Sequence, residues 1–338
     1  MRRVPQAFVL AAGLGTRLWP LTCVRAKAAT PVAGRPLIAR VLDRLAAEGC
    51  TDVVVNLHHL PATITRLVGD GADWGLRVRY SWEPRILGRG GGPRHALPLI
   101  DSDPFLLLNA DTLTNAPLAD IVSAHAGSGA TVTLALVPNT APDRYGGVLL
   151  GPDDAVVGFT RKGDARPSWH FIGVQVASRR AFEALKDGEP ADSIGGAYND
   201  LVAAAPGSVR GWRCDASFHD IGTVREYVET SFVLNAAEAA GARTGGAHAT
   251  AIVGRGGRVA ASARLDRAIL WDDVTVGEGC QLEDCVVTDG LTVPAGARLS
   301  RCAVVPAAAC PDAERRGGAR LGELAVVPVT DLRSGVRG

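Results

Sequence analysis

Short runs of β-branched and aliphatic residues alternate with amphipathic stretches along the first half of the chain. Residues 37–45 carry aliphatic side chains at helical spacing, and Gly49 follows where such a helix would end. The runs predict strands over Phe8 to Ala11, Asp52 to Leu57, Arg77 to Tyr80, Phe105 to Asn109 and Thr131 to Val137. This alternation predicts an α/β domain with a doubly wound, mostly parallel sheet, which binds ligands at the carboxyl ends of its strands.

The hydrophobic pattern changes after residue 250, where aliphatic residues recur at intervals of six with small and charged residues between them. These residues are Val253, Val259, Leu265, Val276, Leu282, Val293 and Leu299. Val276 and Val293 are seventeen residues apart, as are Leu282 and Leu299, which indicates a repeating coil of that length. The spacing predicts a short left-handed parallel β-helix over residues 250–310, whose coils must stack to be stable. A run of short antiparallel strands is the alternative interpretation.

The two patterns divide the chain into two domains and a tail. Residues 1–240 form the first domain, which a predicted helix over residues 222–240 closes. Residues 241–249 are rich in Gly and Ala and are interpreted as the linker to the β-helix. Residues 311–338 are predicted to form a tail of loop or loosely attached strand.

The charge balance argues against some classes of partner. Thirty-six Lys and Arg against thirty-five Asp and Glu give a net charge of +1, so the chain lacks the basic excess that nucleic acid or an anionic membrane surface attracts. No apolar run reaches the roughly 20 residues that a membrane-spanning helix needs. Seven cysteines without a CxxC pair indicate free thiols. We therefore expect a cytoplasmic protein that binds neither nucleic acid nor a membrane.

The most informative segment follows the first predicted strand and reads Ala11-Ala12-Gly13-Leu14-Gly15-Thr16-Arg17-Leu18-Trp19-Pro20-Leu21-Thr22. Its glycines allow backbone amides to approach a phosphate closely, and Arg17 adds a planar cation. A dinucleotide-binding fingerprint would need a third glycine where Leu18 stands, and a P-loop would need a Gly-Lys-Ser/Thr sequence that is absent. The segment therefore predicts a phosphate-binding loop of another kind.

This segment resembles the opening signature of the sugar-1-phosphate nucleotidylyltransferases, also called NDP-sugar pyrophosphorylases. Further segments resemble that family in chain order: Arg25-Ala26-Lys27 with residues 31–37, Leu87-Gly88-Arg89-Gly90-Gly91-Gly92, Asn109-Ala110-Asp111, Tyr145-Gly146, Arg161-Lys162, Phe171-Ile172-Gly173 and His219-Asp220-Ile221-Gly222-Thr223. The chain is similar to N-acetylmuramate-1-phosphate uridylyltransferases in residues 56–61, and to mannose-1-phosphate guanylyltransferases in residues 145–148 and in the appended β-helix. The resemblance covers about the first 235 residues and implies a Rossmann-like nucleotidyltransferase domain.

The resemblance also implies a set of site residues. The catalytic cations would be Arg17 and Lys27, and the metal ligands Asp111 and Asp220. The nucleotide-binding residues would be Ala11, Ala12, Gly13, Gly15, Thr16, Gly90, Gly91 and Asn109. The sugar-phosphate-binding residues would be Gly146, Lys162 and Gly173. The implied partners are a nucleoside triphosphate, UTP or GTP, and a sugar 1-phosphate, and the implied cofactor is Mg²⁺.

The implied chemistry follows from the charges of the reactants. A sugar phosphate already carries its nucleophilic oxygen, so attack on the α-phosphorus of a nucleoside triphosphate needs no general base. Two anions must meet and pyrophosphate must leave, which calls for Mg²⁺ on carboxylate ligands and for fixed cations. Positioning and electrostatics would then supply most of the catalysis.

Two other classes of function remain as alternatives. Hexapeptide coils often carry acyltransferase sites, but such a site needs a base, usually His, and no His follows His248. A catalytically silent regulatory or scaffold protein could share both domains. The joint retention of five residues argues against it: Arg17, Lys27, Asp111, Lys162 and Asp220. We expect the β-helix to stabilise the protein or to mediate its self-association, and to take no part in the transfer. The nucleobase and the sugar remain open.

Overall fold

The computed structural model describes residues 4–241 and 250–329. Its contacts divide the chain into two compact units, and the division is not sequential. One unit contains residues 1–13 and 38–219, and the other contains residues 14–37 and 220–338. The part of the predicted phosphate-binding segment that follows Gly13 therefore belongs to the same unit as the β-helix. The predicted linker falls almost entirely within residues 242–249, which lie outside the described residues.

The α-helices of the described residues are α1 (Leu37–Ala47), α2 (Pro61–Val68), α3 (Gly88–Ala96), α4 (Leu118–Ser128), α5 (Arg180–Glu183), α6 (Tyr198–Ala204) and α7 (Val224–Gly241). The strands that precede α7 are β1 (Ala7–Leu10), β2 (Pro31–Val32), β3 (Arg35–Pro36), β4 (Asp52–Leu57), β5 (Arg77–Trp82), β6 (Phe105–Asn109), β7 (Thr112–Thr114), β8 (Val132–Pro138), β9 (Val148–Leu150), β10 (Val156–Phe159), β11 (Trp169–Ala177), β12 (Val209–Arg213) and β13 (Phe218–Asp220). Those that follow it are β14 (Ala251–Val253), β15 (Arg258–Val259), β16 (Arg264–Asp266), β17 (Ala268–Leu270), β18 (Thr275–Val276), β19 (Gln281–Val287), β20 (Thr292–Val293), β21 (Arg298–Pro306), β22 (Ala319–Leu321) and β23 (Leu324–Pro328).

The first unit is built on a sheet in the order β12-β8-β11-β6-β1-β4-β5, with β9 and β10 branching from β11. Strands β5, β4, β1 and β6 are parallel, and β11 enters antiparallel between β6 and β8. The predicted mixed α/β fold with a mostly parallel sheet is confirmed. Three predicted strands have shifted bounds, since β1 covers Ala7–Leu10, β5 continues to Trp82 and β8 covers Val132–Pro138. Buried aliphatic and aromatic residues such as Phe8, Val54 and Phe105 fill the core of this unit.

The order of the strands creates the place where a ligand can bind. From β1 the chain passes to β4 and β5 on one side of the sheet and then crosses to β6 on the other side. The direction of winding therefore reverses between β1 and β6, and this reversal leaves a crevice at the carboxyl ends of the two strands. The residues there are Leu10 and Asn109, which are paired in register.

The second unit contains the predicted coils. Val259, Val276 and Val293 pair in parallel register, as do Leu265, Leu282 and Leu299. The parallel pairing confirms the hexapeptide β-helix and excludes the antiparallel alternative. Leu282 and the valines of the later coils are buried, whereas Val253 and Val259 are each 38% exposed, because they belong to the first coil and have a neighbouring coil on one side only.

The described part of the predicted tail, residues 311–329, packs on the last coil. Strand β23 pairs antiparallel with β21, and β22 pairs with β23. Val305, Cys310 and Val327 form a small buried cluster there. The rest of the tail, residues 330–338, lies outside the described residues. No helix of the described part of the chain is long and apolar enough to span a bilayer.

Candidate active site

A pocket of the first unit lies at the carboxyl ends of β1, β4, β5 and β6, where the crevice of the sheet was expected. Its lining residues are Leu10, Ala12, Gly13, Asn56, Glu83, Ile86, Gly88, Arg89, Asn109 and Asp111. Four of these residues, Ala12, Gly13, Asn109 and Asp111, are among the predicted site residues. Apolar residues such as Leu10 and Ile86 share this pocket with polar and charged ones, which is typical of small-molecule sites.

Two lining residues that the sequence analysis did not single out, Asn56 and Glu83, organise the pocket wall. Oδ1 of Asn56 accepts hydrogen bonds from the amides of Ala11 and Ala12, at 2.6 and 3.2 Å. Nδ2 of Asn56 donates to Oε1 of Glu83 at 2.6 Å, and Oε2 of Glu83 accepts from the amide of Leu87 at 2.9 Å. Both side chains are almost completely buried. This network ties the ends of β1, β4 and β5 to the start of α3.

The network changes what Ala11 and Ala12 can contribute. Each amide carries one hydrogen, and Asn56 accepts it in both cases. These two amides are therefore not available to a phosphate, and the prediction that Ala11 and Ala12 bind nucleotide rests on their other atoms. Gly13 is exposed, and a Cβ placed on it would meet no heavy atom within 4 Å.

The glycines of α3 have different roles from one another. Gly88 and Arg89 line the pocket. Gly90 and Gly91 instead donate their amides to the carbonyl of Ala191, at 2.8 and 3.1 Å. A Cβ on Gly90 would lie 3.0 Å from the backbone of Asp192, so glycine allows α3 to pack closely on that loop. The structure thus places Gly90 and Gly91 against residues 189–192, whereas Gly88 and Arg89 line the pocket.

Asn109 ends β6 and Asp111 follows two residues later, and Gly173 of β11 lies against Asn109. Gly173 has a φ of +74°, and a Cβ there would lie 3.0 Å from Nδ2 of Asn109. A larger residue would therefore displace the side chain of Asn109. The structure places Gly173 against Asn109, and Asn109 and Asp111 on the wall of one pocket, while the roles of the three residues stay predictions.

Gly146 and Lys162 lie on adjacent segments of the first unit. A Cβ on Gly146 would lie 2.7 Å from the carbonyl oxygen of Thr160 and 3.8 Å from the amide nitrogen of Lys162. The amide of Gly147 also donates to Oγ1 of Thr160, at 2.8 Å. The two segments that were predicted to hold the sugar phosphate are therefore packed against each other.

His170, which the sequence analysis did not place in a site, lies beside Gly146 in an aromatic cluster. Its ring centroid is 4.0 Å from that of Tyr145 and 4.9 Å from that of Phe218. Burial lowers the pKa of His170 to about 4, and the charge of Arg144 acts in the same direction, although a hydrogen bond to the Gly146 backbone opposes it. His170 is therefore a neutral packing and hydrogen-bonding group at neutral pH. A histidine that no sequence motif marks could be recognised only from its neighbours in the fold.

The second unit carries the rest of the predicted site. Gly15 has a φ of +61°, and a Cβ there would lie 2.8 Å from Cγ2 of Thr22 and 3.0 Å from Cβ of Lys27. Oγ1 of Thr22 donates to the carbonyl of Gly15 at 3.2 Å. Glycine at position 15 therefore lets the loop fold directly onto the stem of Lys27, while Thr16 and Arg17 stay exposed.

Arg17 lies against the turn that follows Asp220. A Cβ on Gly222 would lie 2.9 Å from both terminal guanidinium nitrogens of Arg17. The turn is fixed by Oε2 of Glu226, which accepts from the amides of Gly222 and Thr223 at 2.7 and 2.8 Å at the start of α7. The second unit thus gathers Gly15, Lys27 and Arg17 near the segment that begins with Asp220.

Asp111 and Asp220 are the predicted metal ligands. Among the described residues, no group of three or more His, Cys, Asp or Glu side chains could hold a metal ion. Mg²⁺, however, is usually held by one or two carboxylates, with waters and substrate phosphates as its other ligands. Asp111, a carboxylate on the wall of an open pocket, fits that kind of site. Asp220 belongs to the other unit.

Comparisons with known families match both parts of the chain. The profile of the nucleotidyl transferase family matches residues 6–236. The profile of the GlmU-like C-terminal hexapeptide family matches residues 224–311. The two matches together extend from β1 to the end of the β-helix.

Similar proteins include two curated relatives. A mannose-1-phosphate guanylyltransferase of Mycobacterium tuberculosis is 31% identical over 297 residues, which are 81% of this chain and 82% of that protein. An N-acetylmuramate alpha-1-phosphate uridylyltransferase of Neisseria meningitidis is 32% identical over 247 residues, which are 68% of this chain and 99% of that protein. Among solved structures, HddC from Yersinia pseudotuberculosis complexed with GMP-PN has the same fold, with a TM-score of 0.58 and 20% identity over 68% of this chain and all of that one.

Proposed function

The chain belongs to the nucleotidyl transferase family, and we propose from this membership and from the site that it transfers a nucleotidyl group from GTP or UTP to a sugar 1-phosphate. The products are an NDP-sugar and pyrophosphate. The observation that carries the proposal is the pocket at the carboxyl ends of β1 and β6. It contains Asp111 and is lined by Gly13, in the segment that follows β1. A silent scaffold would have no use for an open pocket with this lining.

The proposed reaction is a substitution at phosphorus. A phosphate oxygen of the sugar 1-phosphate forms a bond to the α-phosphorus, and the bond from the α-phosphorus to the bridging oxygen of the β-phosphate breaks. The electron pair of the broken bond leaves with pyrophosphate. Since the nucleophilic oxygen is already deprotonated, no side chain has to remove a proton, and the task of the protein is to hold two anions in line.

The side chains divide this task by their positions. The pocket of the first unit would receive the base and ribose, with Ala12, Gly13, Gly88 and Asn109 on its wall. Arg17 and Lys27 would hold the triphosphate, because they are the cations of the two segments that resemble the family's phosphate-binding segments. Lys162, beside Gly146, would bind the phosphate of the sugar. Charge-assisted hydrogen bonds from such cations to phosphate are among the stronger polar contacts in proteins.

Mg²⁺ is part of the proposal, with Asp111 and Asp220 as its protein ligands. When bound, the ion would neutralise charge on the phosphates and orient them. An acidic residue directly after a central strand is suited to this role, since it is held rigidly at the edge of the sheet. The requirement for Mg²⁺ can be tested by adding a chelator and then restoring the ion.

The first substrate pair to test is GTP with mannose 1-phosphate. A mannose-1-phosphate guanylyltransferase is 31% identical over 81% of this chain, which is more than the first domain alone. UTP with N-acetylmuramate 1-phosphate is the second pair, because the uridylyltransferase relative is matched over 99% of its length. Since nucleoside triphosphates are the substrates, the proposed place of action is the cytoplasm, and the β-helix remains the proposed surface for self-association.

The proposal is tested by measuring pyrophosphate release over a panel of nucleoside triphosphates and sugar 1-phosphates with Mg²⁺ present. We expect release that requires both substrates and that is highest for one pair. Absence of release for every pair would contradict the proposed activity. Release without any sugar phosphate would indicate hydrolysis instead of transfer.

A further inference from the structure

Arg25 connects the segment Arg25-Ala26-Lys27 to the β-helix, within one compact unit. Its Nε and one terminal nitrogen donate to the two carboxylate oxygens of Asp289, at 2.6 and 2.7 Å. The same terminal nitrogen donates to Asp272 at 3.0 Å. The guanidinium also lies 5.4 Å from the ring centroid of Trp271, which is fully buried and donates from Nε1 to the hydroxyl of Tyr227 at 2.9 Å.

The two acidic residues occupy the same position in successive coils. Asp272 and Asp289 are seventeen residues apart, which is the coil length, and the amide of Asp272 donates to Oδ1 of Asp289 at 3.2 Å. Stacking two carboxylates in this way brings like charges together, which is unfavourable unless a cation lies between them. Arg25 supplies that cation from a distant part of the chain.

Stability alone does not account for this arrangement. The side chains of Arg25 and Asp289 are only 16% and 28% exposed. Burial raises the pKa of Asp289, and neighbouring Asp272 raises it further, even though Arg25 acts in the opposite direction. The pKa of Arg25 is raised as well, because Asp289 and Asp272 hold its positive charge despite its burial, so the ion pair favours the cation more than the Asp289 carboxylate. A buried pair of this kind is weak evidence for stability, and a role in holding a specific geometry is the more economical explanation.

The geometry that Arg25 holds is that of the turn carrying Lys27. The other terminal nitrogen of Arg25 donates to the carbonyl of Ala29 at 3.4 Å, and Lys27–Ala29 form a single short helical turn. The residue between Arg25 and Lys27, Ala26, is completely buried. Arg25 thus contacts the end of the turn by its side chain and precedes its start by two residues. A displacement of Arg25 would move the turn as a whole.

We propose that Asp272 and Asp289 of the β-helix are positioning residues for nucleotide binding, because through Arg25 they fix the turn from which Lys27 reaches the triphosphate. The inference rests on the proposed function in one respect, the role of Lys27. It replaces the expectation that the β-helix takes no part in the transfer. The β-helix holds one of the substrate-binding segments in place.

The test compares nucleotide binding by the full chain with that of Asp289→Asn, measured by calorimetry with GTP and UTP. We expect the dissociation constant of the nucleotide to rise about tenfold, since the bidentate contact to Arg25 is replaced by a single neutral hydrogen bond. The KM for sugar phosphate should stay within about twofold, because its proposed contacts lie in the first unit. Asp289→Glu, which keeps the charge, should restore most of the affinity.

Two further variants separate positioning from a general structural effect. Asp266→Asn removes an exposed carboxylate from another strand of the β-helix and should leave binding unchanged. In a Lys27→Ala background, Asp289→Asn should weaken binding by less than about twofold, because the group that it positions is gone. If Asp289→Asn weakens binding equally with and without Lys27, the positioning role is wrong.

The outcomes also distinguish this inference from the proposed function. If the unaltered chain binds none of the nucleotides, the proposed function fails. If the unaltered chain binds nucleotide and Asp289→Asn binds it equally well, only the inference fails. Should Asp289→Asn unfold, Arg25→Lys gives the same test, since it keeps the positive charge but loses the forked contact and should also raise the dissociation constant.

Discussion

Nδ2 of Asn56 donates a 2.6 Å hydrogen bond to Oε1 of Glu83 between two side chains that are 2% and 4% exposed. Oδ1 of the same Asn56 accepts the amides of the two residues that follow β1. This pair therefore holds the backbone of Ala11 and Ala12, where the predicted phosphate-binding segment begins. Because each polar atom of the network has a partner, replacing either residue leaves a buried group unsatisfied.

Asn56→Asp should destabilise the first unit strongly. The substitution removes the donor to Glu83 and brings two carboxylates into contact, which costs about 2–4 kcal/mol of unfolding free energy. Urea unfolding of the two proteins at neutral pH measures this difference. Asn199→Asp is the matched control, because the exposed side chain of Asn199 acts as an acceptor for the Gly195 amide and aspartate keeps that function. Equal stability of Asn56→Asp and the unaltered chain would contradict the account of the pocket wall.

The proposed metal ligands should be essential for turnover and not for folding. Asp111→Asn and Asp220→Asn each remove one negative ligand, and we expect kcat to fall at least about a hundredfold, with the thermal unfolding temperature close to that of the unaltered chain. Steady-state pyrophosphate release over a range of Mg²⁺ concentrations measures the effect. Asp120→Asn, an exposed residue of α4, serves as the control. Near-normal turnover in either site variant would show that its assignment as a ligand is wrong.

Lys162 should separate the two substrates. Lys162→Ala removes a charge-assisted contact to the sugar phosphate, which typically costs about 1.5–3 kcal/mol, so the KM for sugar phosphate should rise about ten- to a hundredfold. The dissociation constant of the nucleoside triphosphate should stay within about threefold. Because Arg161 precedes Lys162 and could take over part of its role, the double substitution should be measured as well. Lys186→Ala, on an exposed lysine paired with Glu189, is the control.

A result with the triphosphate weakened and the sugar phosphate unaffected would reverse the assignment of Lys162. The two cations of the second unit, Arg17 and Lys27, would then have to be reconsidered as contacts of the sugar phosphate. Calorimetry of each substrate alone separates these cases, since neither measurement depends on turnover.

His170 should contribute to the acid sensitivity of the fold. Its pKa is about 4 in the folded protein, against 6.5 for a free imidazole. Between these values the unfolded chain binds the proton more readily, so the free energy of unfolding falls as the pH is lowered from 6.5 to about 4. The total loss from this group is about 1–3 kcal/mol, and it does not grow further at lower pH.

The variant His170→Gln lacks this titration, and its unfolding free energy should fall less steeply over the same pH range. Urea unfolding of both proteins at several pH values between about 4 and 7 measures the two slopes. Parallel slopes would show that His170 is not held neutral by its burial between Tyr145 and Phe218.

Local patterns in the sequence predict much of the fold. The features that they do not predict depend on contacts between residues far apart in the chain. Of the strands after which the pocket forms, β1, β4 and β6 contain continuous hydrophobic runs, and the coil length follows from the seventeen-residue spacing of Val276 and Val293. The antiparallel entry of β11 between β6 and β8 could not be predicted, because a hydrophobic run does not specify its neighbours.

The same distinction applies to the site. Gly15 and Gly173 have positive φ angles and lie against Lys27 and Asn109, which are predicted site residues. Both glycines belong to segments that the sequence analysis singled out. Asn56 and Glu83 are 27 residues apart, and Arg25 and Asp289 are 264 apart, so no local pattern connects them. Polar residues that hold other residues of the site in place by hydrogen bonds are recognised from their contacts in the structure, and not from the sequence.

The central claim, transfer of a nucleotidyl group, is tested most directly by following the phosphorus atoms of the nucleoside triphosphate. The unaltered chain is incubated with Mg²⁺, a sugar 1-phosphate and GTP or UTP that carries a label on either the α- or the γ-phosphate. We expect the α-label to appear in an NDP-sugar and the γ-label in pyrophosphate, in equal amounts. Release of the γ-label as inorganic phosphate, or of the α-label as free nucleoside monophosphate, would contradict the central claim.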